Sequence, residues 1–152
     1  KLSKFMDSVE QVAGAMGEPE ADAELELMID VTGDLLSTID QALERADLDL
    51  STALVKASEE VAVWYPDMEP SRGKFSYDRG IVHIDPEADL ESLAAGLGDV
   101  LFRIFRRLGT APKFGKVYRF TIQRVRQLLY ARSDDFEQAG FLHYVERAIG
   151  VS

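Results

Sequence analysis

The sequence predicts a mostly helical α+β domain of five to six helices with one small β-hairpin near residues 74–84. Three observations carry this. Apolar residues recur at intervals of three and four over several long stretches, the spacing that lines up one face of a helix. In one place, aromatic and β-branched residues flank a short glycine-containing turn. Gly, Pro and capping residues fall between these segments, where helices start and stop.

Ser3 caps a predicted helix from Lys4 to Met16, with Phe5, Val9, Val12 and Met16 on one face; Gly17 and Pro19 end it. A longer helix is expected from Glu20 to Arg45, with Leu25, Met28, Thr32, Leu35, Leu36, Ile39 and Leu43 inward. Its outer side is acidic, with Glu26, Asp30 and Asp34 at four-residue steps. Asp49 or Ser51 caps a third helix from Thr52 to about Glu60, and Val61–Tyr65 reads equally as helix or strand. Pro66–Gly73 reads as a loop. Lys74–Tyr77 and Ile81–Ile84 form the hairpin around Asp78-Arg79-Gly80. Asp85-Pro86 is expected to start the next helix, Asp as cap and Pro at the first position, running to Leu108 and stopping at Gly109. Thr110–Gly115 connects it to a helix from Val117 to Arg132. Ser133 or Asp134 caps a last helix ending near Ile149-Gly150, with Asp134 and Glu137 at capping-box spacing.

At 152 residues the chain is expected to be one domain, with an acidic helical part (1–65), the hairpin (66–85) and a basic helical part (86–152). Its first residue is Lys1, as in a processed chain or an excised fragment. An apolar content of 46% argues against disorder. No apolar run reaches the roughly 18 residues of a spanning helix, and no signal-peptide pattern opens the chain. There is no cysteine, which removes disulfides, thiolate nucleophiles and Cys-based metal sites and fits a cytoplasmic location. With only His83 and His143, a multi-histidine metal site is nearly excluded.

The net charge of −10 hides a split. Residues 1–99 carry 23 acidic and 7 basic side chains, whereas residues 100–133 carry 9 basic and no acidic ones. On a helix over 90–108, Arg103, Arg106 and Arg107 fall within roughly a 100° arc opposite the apolar stripe Leu97, Val100, Leu101, Ile104, Phe105 and Leu108. On the next helix, Arg119, Gln123, Arg126 and Tyr130 lie opposite Tyr118, Ile122, Val125, Leu128 and Leu129, while Lys113 and Lys116 occupy the connector. Arg103, Arg106, Arg107, Lys113, Lys116, Arg119, Arg126 and Tyr130 are therefore the candidate site for an acidic partner or for phosphates, with Tyr130, Phe114 or Phe120 available to stack. The competing expectations are a merely solvated basic face, or one docked on the acidic helix of the same chain.

The segment Gly73-Lys-Phe-Ser-Tyr-Asp-Arg-Gly-Ile-Val-His-Ile-Asp-Pro, followed by Leu93-Ala94-Ala95-Gly96-Leu97-Gly98-Asp99-Val100-Leu101-Phe102, resembles the hairpin-plus-helix core of zincin-like metallopeptidases. In that family the helix carries His-Glu-x-x-His. Here Ala95 and Asp99 stand where the histidines would be and Gly96 where the glutamate would be, so the resemblance, over about residues 73–102, implies a degenerate, non-catalytic relative. Gly96 and Gly98 each cost roughly 1 kcal/mol inside a helix, and close approach of the hairpin is the expected reason for them.

Other chemistry is thin. Glu59, Glu60, His83 and Asp85 are a conceivable acid–base or cation cluster, the Glu26/Asp30/Asp34 ladder a conceivable cation site, and His143 a surface or structural histidine. Trp64-Tyr65 reads as core packing before an exposed anchor. There is no Walker loop, dinucleotide glycine motif or nucleic-acid-binding signature. The expected function is a non-enzymatic interaction or regulatory domain, without cofactor or membrane, that binds a protein partner or a second copy through its oppositely charged faces. Nucleic-acid association through residues 103–132 is the alternative.

Overall fold

A computed structural model describes residues 18–150. The helix expected over Lys4–Met16 lies outside the described residues. Six α-helices and one two-stranded hairpin follow: α1 (Glu18–Glu44), α2 (Leu50–Val61), β1 (Phe75–Asp78), β2 (Ile81–Ile84), α3 (Leu90–Thr110), α4 (Gly115–Ala131), α5 (Ser133–Gln138) and α6 (Leu142–Ala148). The mostly helical fold with one small hairpin is as the sequence predicts.

α3 is the central element. Its apolar stripe is buried from Leu93 to Leu108, and α2, α4 and α6 pack around it. α1 lies against α4 and the second strand, burying Met28, Val31, Leu35, Leu36, Ile39 and Leu43. It ends where Asp47 takes a left-handed φ of 57° and the Leu48 N–H turns back to the Leu43 carbonyl at 3.1 Å. Asp49 flanks α2, its carboxylate accepting from the Thr52 hydroxyl at 2.5 Å, which holds the carboxyl below its usual range.

Three boundaries differ from the sequence reading. Pro66–Gly73 is not featureless: Pro66–Met68 and Pro70–Arg72 are single 3-10 turns, each opened by a proline that pre-sets φ. Asp85-Pro86 starts a turn, not the helix. The Asp85 carboxylate accepts from the Glu87 N–H at 2.8 Å and that turn closes at Ala88. Asp89 provides a second cap four residues later, accepting from the N–H groups of Glu91 and Ser92, directly before the apolar stripe begins. Gly109 does not stop α3 either. A Cβ there would stand 3.1 Å from the Tyr118 ring, so the glycine admits α4, and the helix runs on to Thr110, two residues before Pro112.

The last helix is two. Gly140 takes φ 73°, and the Phe141 N–H returns to the Phe136 carbonyl at 2.9 Å. This fold-back stacks the Phe136 and Phe141 rings 6.0 Å apart, both fully buried. The expected Ser133 or Asp134 cap makes no side-chain capping bond. Gly96 and Gly98 do mark close approaches, but not of the hairpin. A Cβ on Gly96 would meet Met68 at 2.6 Å, and one on Gly98 would meet the Tyr144 Cβ at 2.7 Å.

The hairpin pairs Phe75 with Ile84 and Tyr77 with Val82 across an Arg79-Gly80 turn with φ values of 49° and 91°. Its inner face lies on α1, where the Tyr77 hydroxyl donates to Asp40 at 2.7 Å. Burial and the Asp40 carboxylate push the Tyr77 hydroxyl up to about 12 from an ordinary 10. Because the folded-state value is raised, the neutral phenol contributes stability that is whole below pH 10 and lost as pH rises toward 12. A thermal-melt series from pH 8 to 12 should therefore show a steeper alkaline loss for the native chain than for Tyr77→Phe. Parallel curves would show that Tyr77 does not couple folding to pH.

Candidate functional site

The basic residues that the sequence grouped together are divided by the fold into three sets. The first is an internal clamp. Arg107 of α3 reaches the end of α2, donating to both carboxylate oxygens of Glu60 at 2.5 and 2.6 Å. Arg103 adds a longer contact to Glu60 at 3.8 Å and bonds Asp99 one turn back at 3.3 Å. The two-point hydrogen bond from Arg107 holds the Glu60 carboxyl below its usual range. Two of the predicted site residues, Arg103 and Arg107, are thus already engaged.

The second set is Arg132, which the sequence reading did not single out. It donates to Asp30 at 2.7 Å and Asp34 at 3.0 Å on α1, and lies 3.0 Å from Asp135 on α5. The three carboxylates raise its already high pKa further. The acidic ladder of α1 is therefore a dock for an arginine of the same chain, not an open cation site. This is the internal docking entertained from the charge split, achieved among the described residues by Arg132.

The third set remains exposed. Lys116, Arg119, Arg126 and Tyr130 stand on the outer face of α4, with Lys113 in the connector beside them and Arg106 on the outer face of α3. Among the described residues none of these cations has a carboxylate within ion-pair distance. The α4 strip is bordered by aromatic faces. Lys113 lies 5.0 Å from the Phe114 ring centroid, and Arg124 and Arg45 sit over Phe120 at 5.8 and 4.5 Å. Tyr130 is 90% exposed at the end of the strip, and with Arg126 it edges a shallow depression against Leu142 and Glu146.

A groove runs along the outer face of α3. Its floor is Ala95 and Gly98, and its walls are Tyr65 on one side and Tyr144, Arg147 and Ala148 on the other. It is half open, with a volume of about 350 Å³, and continues past Asp99 and Phe102 into a depression of about 340 Å³ lined by Arg103, Arg106, Arg107 and Thr110. The sequence reading missed this groove. Phe102 lines it and is 45% exposed; Trp64, next to the lining residue Tyr65, is 63% exposed. Trp64 is thus outside the core expected for it, and its ring centroid lies 5.6 Å from the Arg103 guanidinium. Of the positions aligned with the metallopeptidase motif, Ala95 and Asp99 face the groove, while Gly96 is closed off beneath Met68.

The remaining candidates do not assemble. Glu60 belongs to the arginine clamp, Asp85 to its own turn, and His83 stands opposite Ser76 on the hairpin; no hydrogen bond or ion pair joins them among the described residues. His143 is exposed, edge-on to Tyr144 at 5.7 Å between ring centroids. No described helix is long and apolar enough to cross a membrane. The chain matches no protein-family model, and neither a curated protein nor a solved structure matches it.

Proposed function

We propose that this chain is a non-catalytic docking domain whose α4 strip binds the acidic surface of a protein partner. One observation carries the reading: Arg103, Arg107 and Arg132 are engaged by carboxylates of the chain, whereas Lys113, Lys116, Arg119 and Arg126 have none among the described residues. Unpaired arginines beside the exposed Tyr130 match the arginine and aromatic enrichment of protein interfaces. From Lys116 to Tyr130 the strip spans about 21 Å of helix, the scale of one standard interface patch. That length suits a local acidic surface better than a polyanion, whose flanks would meet a chain of net charge −10. Charges of this kind set encounter rate and orientation more than final affinity.

The test uses a labelled polyglutamate peptide and labelled duplex and single-stranded DNA, each at about 50 and 200 mM salt. Polyglutamate should bind at low salt, weaken at high salt, and lose at least about tenfold in affinity with the Arg119→Glu/Arg126→Glu double variant. Sedimentation of the chain alone adds a further arm: an oligomer dissolved by salt and by the same double variant identifies the acidic partner as a second copy. DNA binding tighter than polyglutamate, and lost in the same variant, would replace this reading with the nucleic-acid one. Binding unchanged by the variant would remove α4 from the interface.

A further inference from the structure

We infer that the α3 groove is a second, separate recognition site, which takes an acidic segment of a protein partner by one bulky apolar side chain flanked by carboxylates.

The groove is built for a side chain at one end and for charge at the other. At the first end α3 carries Ala95 and Gly98 one turn apart, so the floor is low where a larger residue would fill it. Gly98 is held to that size by Tyr144, whose Cβ a Gly98 Cβ would meet at 2.7 Å, so the floor and the wall are one packing unit. Tyr65 makes the opposite wall. The volume of this half-open groove, about 350 Å³, lies at the low end of the range typical of ligand pockets, room for a single leucine- or phenylalanine-sized group. The exposed face of Phe102 extends apolar surface outward from the mouth, and exposed Trp64 follows Val63 and precedes the wall residue Tyr65 in the chain. Large aromatics left in water beside a concave surface mark interaction sites, and aromatic and arginine side chains are those enriched where binding energy concentrates.

Charge selects the occupant. Four arginines edge the groove and its continuation: Arg103, Arg106, Arg107 and Arg147. Against them stand two acids, Glu60 and Asp99, both bonded to arginines of the set. The surplus is positive, and Arg106 sits exposed in the middle of the basic half. A partner segment entering apolar side chain first therefore meets cations directly beyond the pocket. This is the pattern of an amphipathic acidic segment laid in a groove, read by one anchor and its flanking charges. A basic segment would meet the same arginines as repulsion.

The chain contains one tryptophan, and its ring lies 5.6 Å from the guanidinium of Arg103, which lines the basic end of the groove. Trp64 fluorescence therefore reports on the basic end of the groove through Arg103. The probe is a tryptophan-free 12-residue peptide with one central leucine among glutamates and alanines, titrated into the 152-residue chain. Two control peptides replace the leucine by serine, or every glutamate by lysine. The leucine–glutamate peptide should shift Trp64 emission to shorter wavelength and saturate below about 1 mM, with both controls at least about tenfold weaker. Ala95→Gln, which fills the floor, and Arg106→Glu, which reverses the free charge, should each weaken binding at least about fivefold. Both positions are on the outer face of α3, so circular-dichroism melts should stay close to those of the native chain. Should Ala95→Gln not fold, the exposed Arg106→Glu carries the test alone.

The Arg119→Glu/Arg126→Glu variant should leave this Trp64 response intact, so failure of the α4 reading and failure of the groove are told apart. Three results would overturn the inference. One is no saturable Trp64 shift up to about 2 mM peptide. Another is equal binding of the lysine peptide. The third is a Trp64 shift that depends on protein concentration without peptide, which assigns the groove to a second copy.

Discussion

Replacing Phe136 by alanine should cost about 4 kcal/mol of folding stability. α5 and α6 span six and seven residues, too short to persist without tertiary packing. They are held by Phe136, Phe141, Val145, Ala148 and Ile149, which are buried against the core. Phe136 is fully buried and stacked on Phe141, so its loss leaves a cavity at the bend that Gly140 makes. A domain of this size should show a fall in Tm on the order of 10 °C. The loss should also be local at first. α6 carries Tyr144, which walls the groove and packs on Gly98, so hydrogen exchange in α6 should accelerate before exchange in α1. A variant destabilised by less than about 1 kcal/mol would mean that this bend is not anchored by its aromatic pair. Uniform acceleration across α1 and α6 would show that the C-terminal helices and the core unfold as one unit.

The same bend shows where sequence reading stops. The long helices were legible because burial on one face imposes a 3.6-residue period. Every apolar residue assigned to the inner stripe of α3, from Leu97 to Leu108, is buried. The outward direction of Arg119, Arg126 and Tyr130 follows from the same arithmetic. The period is blind to a break that keeps apolar residues facing inward on both sides, as Gly140 does between Phe136 and Phe141. It is equally blind to partners far along the chain. Glu60 meets Arg107 across 47 positions, and Asp30 meets Arg132 across 102. Local charge runs therefore predicted one basic surface where tertiary pairing makes a clamp, a dock and a free strip. The groove left a single trace in the sequence, the unfavourable pair Gly96 and Gly98. That trace signalled close approach, but only the fold identifies Met68 and Tyr144 as what approaches. Trp64 was misjudged because large aromatics are usually core residues, and its exposure depends on where the turn after α2 leaves it.

Arg132→Met should destabilise the fold by about 2 kcal/mol, and its effect should reverse the sign of a second substitution. Among the described residues Arg132 is the one cation paired with these three carboxylates, on α1 and α5, and its side chain is 23% exposed. Full burial would put the cost of leaving those charges unpaired at about 3–5 kcal/mol, but water reaches the carboxylates and lowers it. Methionine keeps most of the apolar stem, so the loss reports the charge more than the packing. Asp30 and Asp34 are one helical turn apart and repel each other once the guanidinium is gone. In the native chain Asp34→Asn removes an ion pair and should destabilise. In the Arg132→Met background it removes a repulsion and should stabilise. Chemical denaturation of the four proteins in this cycle measures the coupling directly. Additive effects would mean that Arg132 only lies near α1. A coupling of at least about 1 kcal/mol would make this arginine the electrostatic link between the acidic first helix and the C-terminal helices. It would also explain why the acidic ladder tolerates charges at four-residue steps: one basic residue, 98 positions beyond Asp34, balances it.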